Sequence, residues 1–291
     1  MARPRPSGGV HPALRLVRFG NTLVSFAGVL VGGLVARGTG VGVPASFTWT
    51  ILLAALSSAF VTAGGNVLND LLDLGSDRVN HPDRPLVTGA ITVPTARRLA
   101  AGLLVASAAV ILPVALAAPW LPVLLAVAIA ALLSYEFRFK RLGLSGNALV
   151  AFLTALVFLY GGAAANAPLV LLPFAGMAFA ATLSRELIKD MEDAAGDLDR
   201  RTFPRIRGFI WATRIAQLAV AAALVLSPLP LVTFVRANSA AGIIYLALVL
   251  AADALFLASV ARLPSELHRA QTVSKGAMTV ALLAFLAAAF R

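Results

Sequence analysis

Residues 46–65 read SFTWTILLAALSSAFVTAGG, twenty positions without a charged side chain. An α-helix rises about 1.5 Å per residue, so a stretch of this length crosses the hydrocarbon core of a bilayer. Apolar stretches of similar length recur along the whole chain. We therefore predict nine membrane-spanning helices, over residues 16–36, 46–65, 97–117, 119–134, 144–164, 168–188, 209–227, 240–261 and 272–290.

The composition supports an integral membrane protein. Of 291 residues, 59% are hydrophobic and 13% are charged, whereas soluble domains average about 25% charged residues. The absence of cysteine excludes disulfides, thiolate metal sites and cysteine nucleophiles. The predicted fold class is therefore all-α, a polytopic membrane protein.

The net charge of +11 is best explained by membrane topology. With nine helices and a cytoplasmic N-terminus, only Arg37, Arg236 and Arg291 of the 24 basic residues lie on the outer side. This asymmetry follows the positive-inside rule. We therefore expect a multi-pass protein of the cell (plasma) membrane with no nucleic-acid partner.

The acidic side chains concentrate in two segments that share one spacing. Each segment lies at the predicted cytoplasmic end of a helix, the second and the sixth. Counted from its first member, each set has oxygen-bearing side chains at offsets 0, 4, 7 and 11, namely Asn66, Asp70, Asp73 and Asp77, and Glu186, Asp190, Asp193 and Asp197. These offsets span an arc of about 60° on a helix. The spacing predicts two acidic ladders, with Gly75 or Gly196 loosening the helix so that the last acid lies on a loop.

The ladders favour a hard divalent cation. Like charges on one helix face repel unless they are neutralised, and Mg²⁺ prefers carboxylate, water and phosphate oxygens. Ordinary surface charge at solvated helix ends is the alternative interpretation. We expect one cytoplasmic site built from both ladders, in which the catalytic acids are Asp70, Asp73, Asp190 and Asp193.

The repeated ladder also predicts an internal duplication. Each ladder ends the second helix of a four-helix unit, and one helix remains. We therefore expect a single membrane-embedded domain over residues 1–291, with a pseudo-repeat of residues 16–141 and 144–262.

Basic residues lie on the same predicted face as the ladders. Arg84, Arg138 and Lys140 occupy its loops, and Arg18 and Asn21 begin the first helix. Carboxylates, Mg²⁺ and basic side chains together suit a diphosphate, whose negative charge they neutralise. We expect these five residues to be substrate contacts.

Other bases are expected to be headgroup anchors. Arg97 and Lys275 lie near predicted cytoplasmic helix ends, where positive-inside residues collect. Among ionisable residues inside the spans, Asp253 lies deepest, and the sequence names no partner for it.

Both acidic segments resemble the signatures of a known family. Residues 65–85 read GNVLNDLLDLGSDRVNHPDRP, and residues 184–197 read SRELIKDMEDAAGD. In this order and on these helices they resemble the first and second signatures of the UbiA superfamily of intramembrane prenyltransferases. The resemblance covers essentially the whole chain.

The resemblance implies Mg²⁺-dependent transfer of a polyprenyl group from its diphosphate to a lipophilic acceptor. It implies one Mg²⁺ on the diphosphate, held by Asn66, Asp70, Asp73 and Asp77. It implies a second Mg²⁺, or a positioned acceptor, at Asp190, Asp193 and Asp197. Arg84 and Lys140 match positions that contact the diphosphate. Many members carry Tyr-x-x-x-Lys, whereas here Lys140 follows Tyr135 by five, so Tyr135 and Arg138 also stay candidate substrate contacts.

The acceptor has two alternatives. The segment 184–197 most resembles members that alkylate geranylgeranylglyceryl phosphate in ether-lipid synthesis, and Arg185 and Lys189 would meet an acceptor phosphate. An aromatic acceptor of quinone biosynthesis is the other candidate.

A secondary transporter is the alternative from a different functional class. Transporters place ionisable groups and broken helices near the bilayer midplane. Here the acids collect at helix ends, which favours the enzyme.

Overall fold

The computed structural model describes residues 11–40, 47–194, 202–233, 235 and 238–290. These residues form helices and connecting turns, without a β-strand in the described ranges. Nine of their helices are long and apolar enough to cross a membrane, which confirms the predicted all-α membrane fold. Numbered in chain order, the helices are α1 (Pro12–Leu16), α2 (Phe19–Gly38), α3 (Phe47–Leu72), α4 (Leu74–Asn80), α5 (Val93–Ile111), α6 (Trp120–Phe137), α7 (Leu144–Ala164), α8 (Leu172–Asp193), α9 (Phe203–Arg207), α10 (Phe209–Leu226), α11 (Leu229–Thr233), α12 (Ala240–Val260) and α13 (Leu267–Ala287).

Several predicted spans have the wrong limits at the ends that carry polar residues. The second was expected to end at residue 65, but α3 continues to Leu72 and so contains Asp70. The sixth was expected to end at residue 188, but α8 continues to Asp193 and so contains Asp190. The ninth was expected to begin at residue 272, but α13 begins at Leu267. Hydropathy ends a span where charges begin, whereas backbone hydrogen bonds continue the helix wherever side chains can be paired or solvated.

Close packing of α2 against α7 depends on small residues. A Cβ on Gly161 would meet the Gly33 backbone nitrogen at 2.7 Å, and one on Gly32 would meet the Phe158 carbonyl oxygen at 2.8 Å. Such small-residue contacts drive helix association in lipid, where apolar surface alone gives little preference. The C-terminal half of α2 is thereby fixed beside α7.

Polar side chains inside the bundle find partners on neighbouring helices. The Ser57 hydroxyl donates to the Ser107 carbonyl at 2.8 Å and lies 3.0 Å from the Tyr160 hydroxyl. Asp253, for which the sequence named no partner, accepts from the Ser227 hydroxyl at 2.8 Å. These bonds satisfy groups that lipid cannot solvate.

Candidate active site

The first acidic ladder is broken at Asp73. The helix α3 ends at Leu72, Asp73 precedes α4 at its N-cap, and Asp77 lies within α4. We expected the helix to loosen at Gly75 and Asp77 to lie on a loop, which is wrong for this segment. The physical reason is Arg84, which bonds Asp70 and Asp77 together and draws α4 back against the end of α3.

Two arginines meet the buried Asp70 carboxylate. Its side chain is 4% exposed, and its Oδ1 accepts from Arg18 Nη2 at 2.7 Å and from Arg84 Nη1 at 3.2 Å. The same Arg84 nitrogen lies 2.5 Å from Asp77 Oδ2. A buried carboxylate is stable only when it is paired and hydrogen-bonded, so these four residues form one electrostatic unit.

The backbone of Arg18 is held in an unusual conformation. Its φ of 48° and ψ of 64° are left-handed, which costs a non-glycine residue about 1–2 kcal/mol. The preceding carbonyl, of Val17, accepts from Asn66 Nδ2 at 2.9 Å and from Thr22 Oγ1 at 2.9 Å. These bonds fix the turn between α1 and α2 that brings the Arg18 guanidinium to Asp70. The role of Asn66 as a metal ligand remains a prediction.

Lys140 joins the same cluster from the turn after α6. Its Nζ lies 2.7 Å from Asp73 Oδ2 and 3.1 Å from Glu136 Oε2. Asn69 donates to Glu136 Oε1 at 3.0 Å and accepts from Arg18 Nη2 at 3.0 Å. An unbroken chain of hydrogen bonds therefore runs from the start of α2, through α3, to the end of α6.

The second acidic segment lies on α8. Asp190 Oδ2 accepts from Asn147 Nδ2, on the first turns of α7, at 2.8 Å. Glu186 pairs with Arg185 at 2.6 Å, and Glu192 Oε1 lies 2.8 Å from His268 Nδ1 on α13. Asp193 is the last residue of α8. The predicted ligand Asp197, with the neighbouring Gly196, lies outside the described residues.

One short segment connects the two acidic segments. Lys140, bonded to Asp73, and Asn147, bonded to Asp190, are seven residues apart. Between them, a Cβ on Gly146 would stand 2.7 Å from the Phe139 carbonyl oxygen. Glycine at this position lets the turn that carries Lys140 rest directly on the start of α7.

The structure separates the predicted substrate contacts into two groups. It brings Arg18, Arg84 and Lys140 onto the acids. Arg138 is exposed and lies 6.0 Å from the Phe139 ring centroid, so Lys140 is the base that the turn presents to the acids. The other predicted contacts lie elsewhere on the chain: Asn21 is exposed, Tyr135 is half-buried in the last turns of α6, and Lys189 lies on α8.

Three polar residues of the site were not predicted. Asn69, Glu136 and Asn147 each bond a predicted site residue from another element. Asn69 adjoins Asp70, and Glu136 stands four residues before Lys140, the spacing of facing residues on a helix. That spacing could have identified Glu136. The partner of Asn147 is distant in sequence, and no local pattern indicates it.

The oxygen donors of the site suit Mg²⁺. Among the described residues, no three histidine, cysteine, aspartate or glutamate side chains form a group that could hold a metal. The carboxylates of Asp70, Asp73 and Asp77 are bonded to Arg84 and Lys140. Carboxylate and amide oxygens are nevertheless the ligands that Mg²⁺ prefers. The donor set fits the metal in kind, and the ligand assignment remains a prediction.

The sequence and fold have close counterparts. The model of the UbiA prenyltransferase family matches residues 22–288. The chain belongs to the UbiA prenyltransferase family. It is 37% identical to the digeranylgeranylglyceryl phosphate synthase of Methanopyrus kandleri over 94% of this chain and 97% of that protein.

Two solved structures share the fold of this prenyltransferase. A digeranylgeranylglyceryl phosphate synthase structure has a TM-score of 0.75 and 29% identity, covering 96% of this chain and 97% of its own. A UbiA homologue from Archaeoglobus fulgidus, solved with GPP and Mg²⁺, has a TM-score of 0.62 and 19% identity over 94% of this chain and 99% of its own. The chain is therefore a multi-pass membrane prenyltransferase. The expected enzyme is confirmed, and the transporter alternative is not.

Proposed function

We propose that this chain transfers a geranylgeranyl group from its diphosphate to geranylgeranylglyceryl phosphate, with Mg²⁺, in ether-lipid synthesis. The buried cluster of three carboxylates and three basic side chains carries the donor half of the proposal. The named relative and the segment 184–197 support the acceptor half.

The reaction exchanges one C–O bond for another. The allylic C–O bond of the donor breaks, and its electron pair leaves with the diphosphate. A hydroxyl oxygen of the acceptor then bonds the allylic carbon and loses its proton, which gives an ether. The acceptor supplies the nucleophile, so the chain needs no nucleophilic side chain.

The residues of the first cluster act on the leaving group. Arg18, Arg84 and Lys140 neutralise the charge that develops on the diphosphate. Their pairing with Asp70, Asp73 and Asp77 holds them in place within a largely buried site. The apolar interior of the bundle excludes water from the allylic carbon.

The acids of both segments would hold the metal. Mg²⁺ supplies Lewis-acid stabilisation of the diphosphate oxygens when bound. On the first segment the ligands would be Asn66, Asp70, Asp73 and Asp77. On the second, Asp190, Asp193 and Asp197 would hold another ion or position the acceptor.

We also propose the domain organisation and the orientation. The chain is one membrane domain with the pseudo-repeat of residues 16–141 and 144–262, supported by the equivalent placement of acids on α3 and α8. The protein lies in the plasma membrane, and its N-terminus and site face the cytoplasm. The distribution of basic residues favours this orientation.

A product assay tests the proposed activity. Purified protein is given radiolabelled geranylgeranyl diphosphate and Mg²⁺, with geranylgeranylglyceryl phosphate or 4-hydroxybenzoate as acceptor in parallel incubations. We expect doubly alkylated glyceryl phosphate, and no product with EDTA. Product only with 4-hydroxybenzoate would assign an aromatic acceptor. Product undiminished by EDTA would contradict the requirement for Mg²⁺.

A further inference from the structure

The helices α8 and α13 run antiparallel in a register fixed by two contacts. Near one end, Glu192 Oε1 lies 2.8 Å from His268 Nδ1. About 27 Å further along α8, at 1.5 Å per residue, the rings of Phe174 and Phe285 pack with centroids 4.7 Å apart. The two contacts agree on the register of α8 against α13 to within one residue. In that register Arg185 lies level with Lys275.

The same contacts identify which helix faces meet. Arg185 is seven residues before Glu192, and Lys275 is seven residues after His268. Seven residues bring a helix back to within about 20° of the same direction. Arg185 and Lys275 therefore flank the seam between α8 and α13, about 10 Å deeper than the Glu192–His268 contact. Lys189 lies one turn from Arg185 on α8.

Two of these three basic side chains make no ion pair with a residue that the structure describes. The ammonium groups of Lys189 and Lys275 have no hydrogen-bond or salt-bridge partner among the described residues. Within the described part of the chain, Arg185 engages Glu186 through Nη1. All three lie within membrane-spanning helices, where a charged side chain is costly and marks a functional position.

The two described glutamates near the seam are engaged by residues other than its lysines. Glu186 is held by Arg185, and one oxygen of Glu192 by His268. The other Glu192 oxygen is buried without a partner in the described ranges, and Asp193 ends the helix. Within the described ranges, neither Glu186 nor Glu192 is bonded to Lys189 or Lys275. Lys189 attracts the neighbouring Asp190 carboxylate electrostatically, without a hydrogen bond to it. Two basic groups on facing helices are thus available to an anion.

We infer that Arg185, Lys189 and Lys275 bind the phosphate of the lipid acceptor at the seam between α8 and α13. This inference rests on the proposed function, because that acceptor carries a phosphate in addition to the diphosphate of the donor. The donor already has Arg18, Arg84 and Lys140. A second anionic group needs a second set of basic side chains. The seam between α8 and α13 places such a set near Asp190, at the membrane boundary.

Headgroup anchoring is the competing explanation for the lysines. Lysine near a helix end extends its ammonium to any anionic lipid. The two explanations differ in selectivity: an acceptor site distinguishes the phosphorylated acceptor from the same lipid without phosphate, whereas an anchor responds to the bulk bilayer.

Equilibrium binding without donor tests the inference. Lys189→Gln, Lys275→Gln and the double variant are compared with wild type in phosphatidylcholine nanodiscs. The ligands are geranylgeranylglyceryl phosphate and geranylgeranylglycerol, with Arg97→Gln as the control, an exposed base near the start of α5. We expect each lysine variant to lose about tenfold in affinity for the phosphorylated lipid, about the strength of one charge-assisted hydrogen bond. Affinity for geranylgeranylglycerol and the KM for donor should not change.

The outcomes separate this inference from the proposed function. If wild type binds and alkylates the phosphorylated acceptor but the lysine variants bind it equally well, the proposed phosphate site at the seam is wrong and the proposed function stands. If wild type shows no preference for the phosphorylated lipid, both are wrong. If the lysine variants lose affinity equally for geranylgeranylglyceryl phosphate and for geranylgeranylglycerol, the lysines do not select the phosphate and the inference is overturned.

Discussion

At the scale of single residues, the site depends on carboxylates that are shared between cations. Asp70 accepts from both Arg18 and Arg84, and Arg84 in turn reaches Asp77. Removing one member of such a buried set leaves the others with uncompensated charge. Substitutions here should therefore affect function much more than those at nearby exposed pairs.

Asp70→Asn should reduce turnover by about a thousandfold or more, because it removes the charge that the metal and both arginines need. Asp83→Asn is the matched control, since Asp83 is 69% exposed and pairs only at the surface with Arg15. Steady-state turnover of the two purified variants checks this. Near-wild-type activity of Asp70→Asn would contradict the role of the first ladder.

Arg84→Ala should raise the KM for the diphosphate donor about tenfold and change the KM for acceptor little, since one charge-assisted contact is lost. Arg84→Lys should recover part of the loss, because lysine keeps the charge but not the fork that reaches two carboxylates. Initial rates at varied donor concentration measure both. An unchanged donor KM would remove Arg84 from the diphosphate site.

At the scale of elements, the segment from Phe139 to Asn147 determines how the two halves of the site meet. It carries Lys140 to Asp73 and Asn147 to Asp190, and Gly146 permits its compact path. The geometry of this segment, more than any long helix, sets the relation between the two acidic segments.

Gly146→Ala should lower stability by about 1–3 kcal/mol, as overpacking does, and should reduce turnover by moving Lys140. Gly102→Ala is the control, a helical glycine of α5 with no atom within 4 Å of an added Cβ. It should be neutral or slightly stabilising, since alanine favours helix. Thermal unfolding in detergent with parallel assays checks both. Equal stability and turnover of the two variants would contradict the role of the segment from Phe139 to Asn147 in connecting the two acidic segments.

The sequence predicted helices better than it predicted their ends and contacts. Apolar length is a local property, so nine spans could be found, and the repeated spacing of Asp70 and Asp190 marked the site. The break at Asp73 could not be predicted, because it depends on Arg84 folding back from the following loop. The partnership of Asn147 with Asp190 is likewise long-range and follows only from helix packing.

At the scale of the whole molecule, the proposed orientation places the site on the cytoplasmic side. The chain has no cysteine, so one introduced thiol is unique. Val79 on α4 is 81% exposed, and Leu116 between α5 and α6 is 99% exposed. They lie on opposite sides in the predicted topology.

Labelling of intact cells with a membrane-impermeant maleimide tests the orientation. Leu116→Cys should react in intact cells, whereas Val79→Cys should react only after permeabilisation, because the bilayer excludes the charged reagent. Retained turnover in both variants is the control for folding. The reverse pattern of labelling would invert the proposed topology.

The most direct test of the proposed function is a competition between acceptors. Wild-type protein receives geranylgeranyl diphosphate, Mg²⁺ and equal amounts of geranylgeranylglyceryl phosphate and 4-hydroxybenzoate, and mass spectrometry identifies the products. We predict the doubly alkylated glyceryl ether with its phosphate intact, with diphosphate released in equal amount. Prenylated 4-hydroxybenzoate as the main product, or release of diphosphate with only free geranylgeraniol formed, would contradict the proposed function.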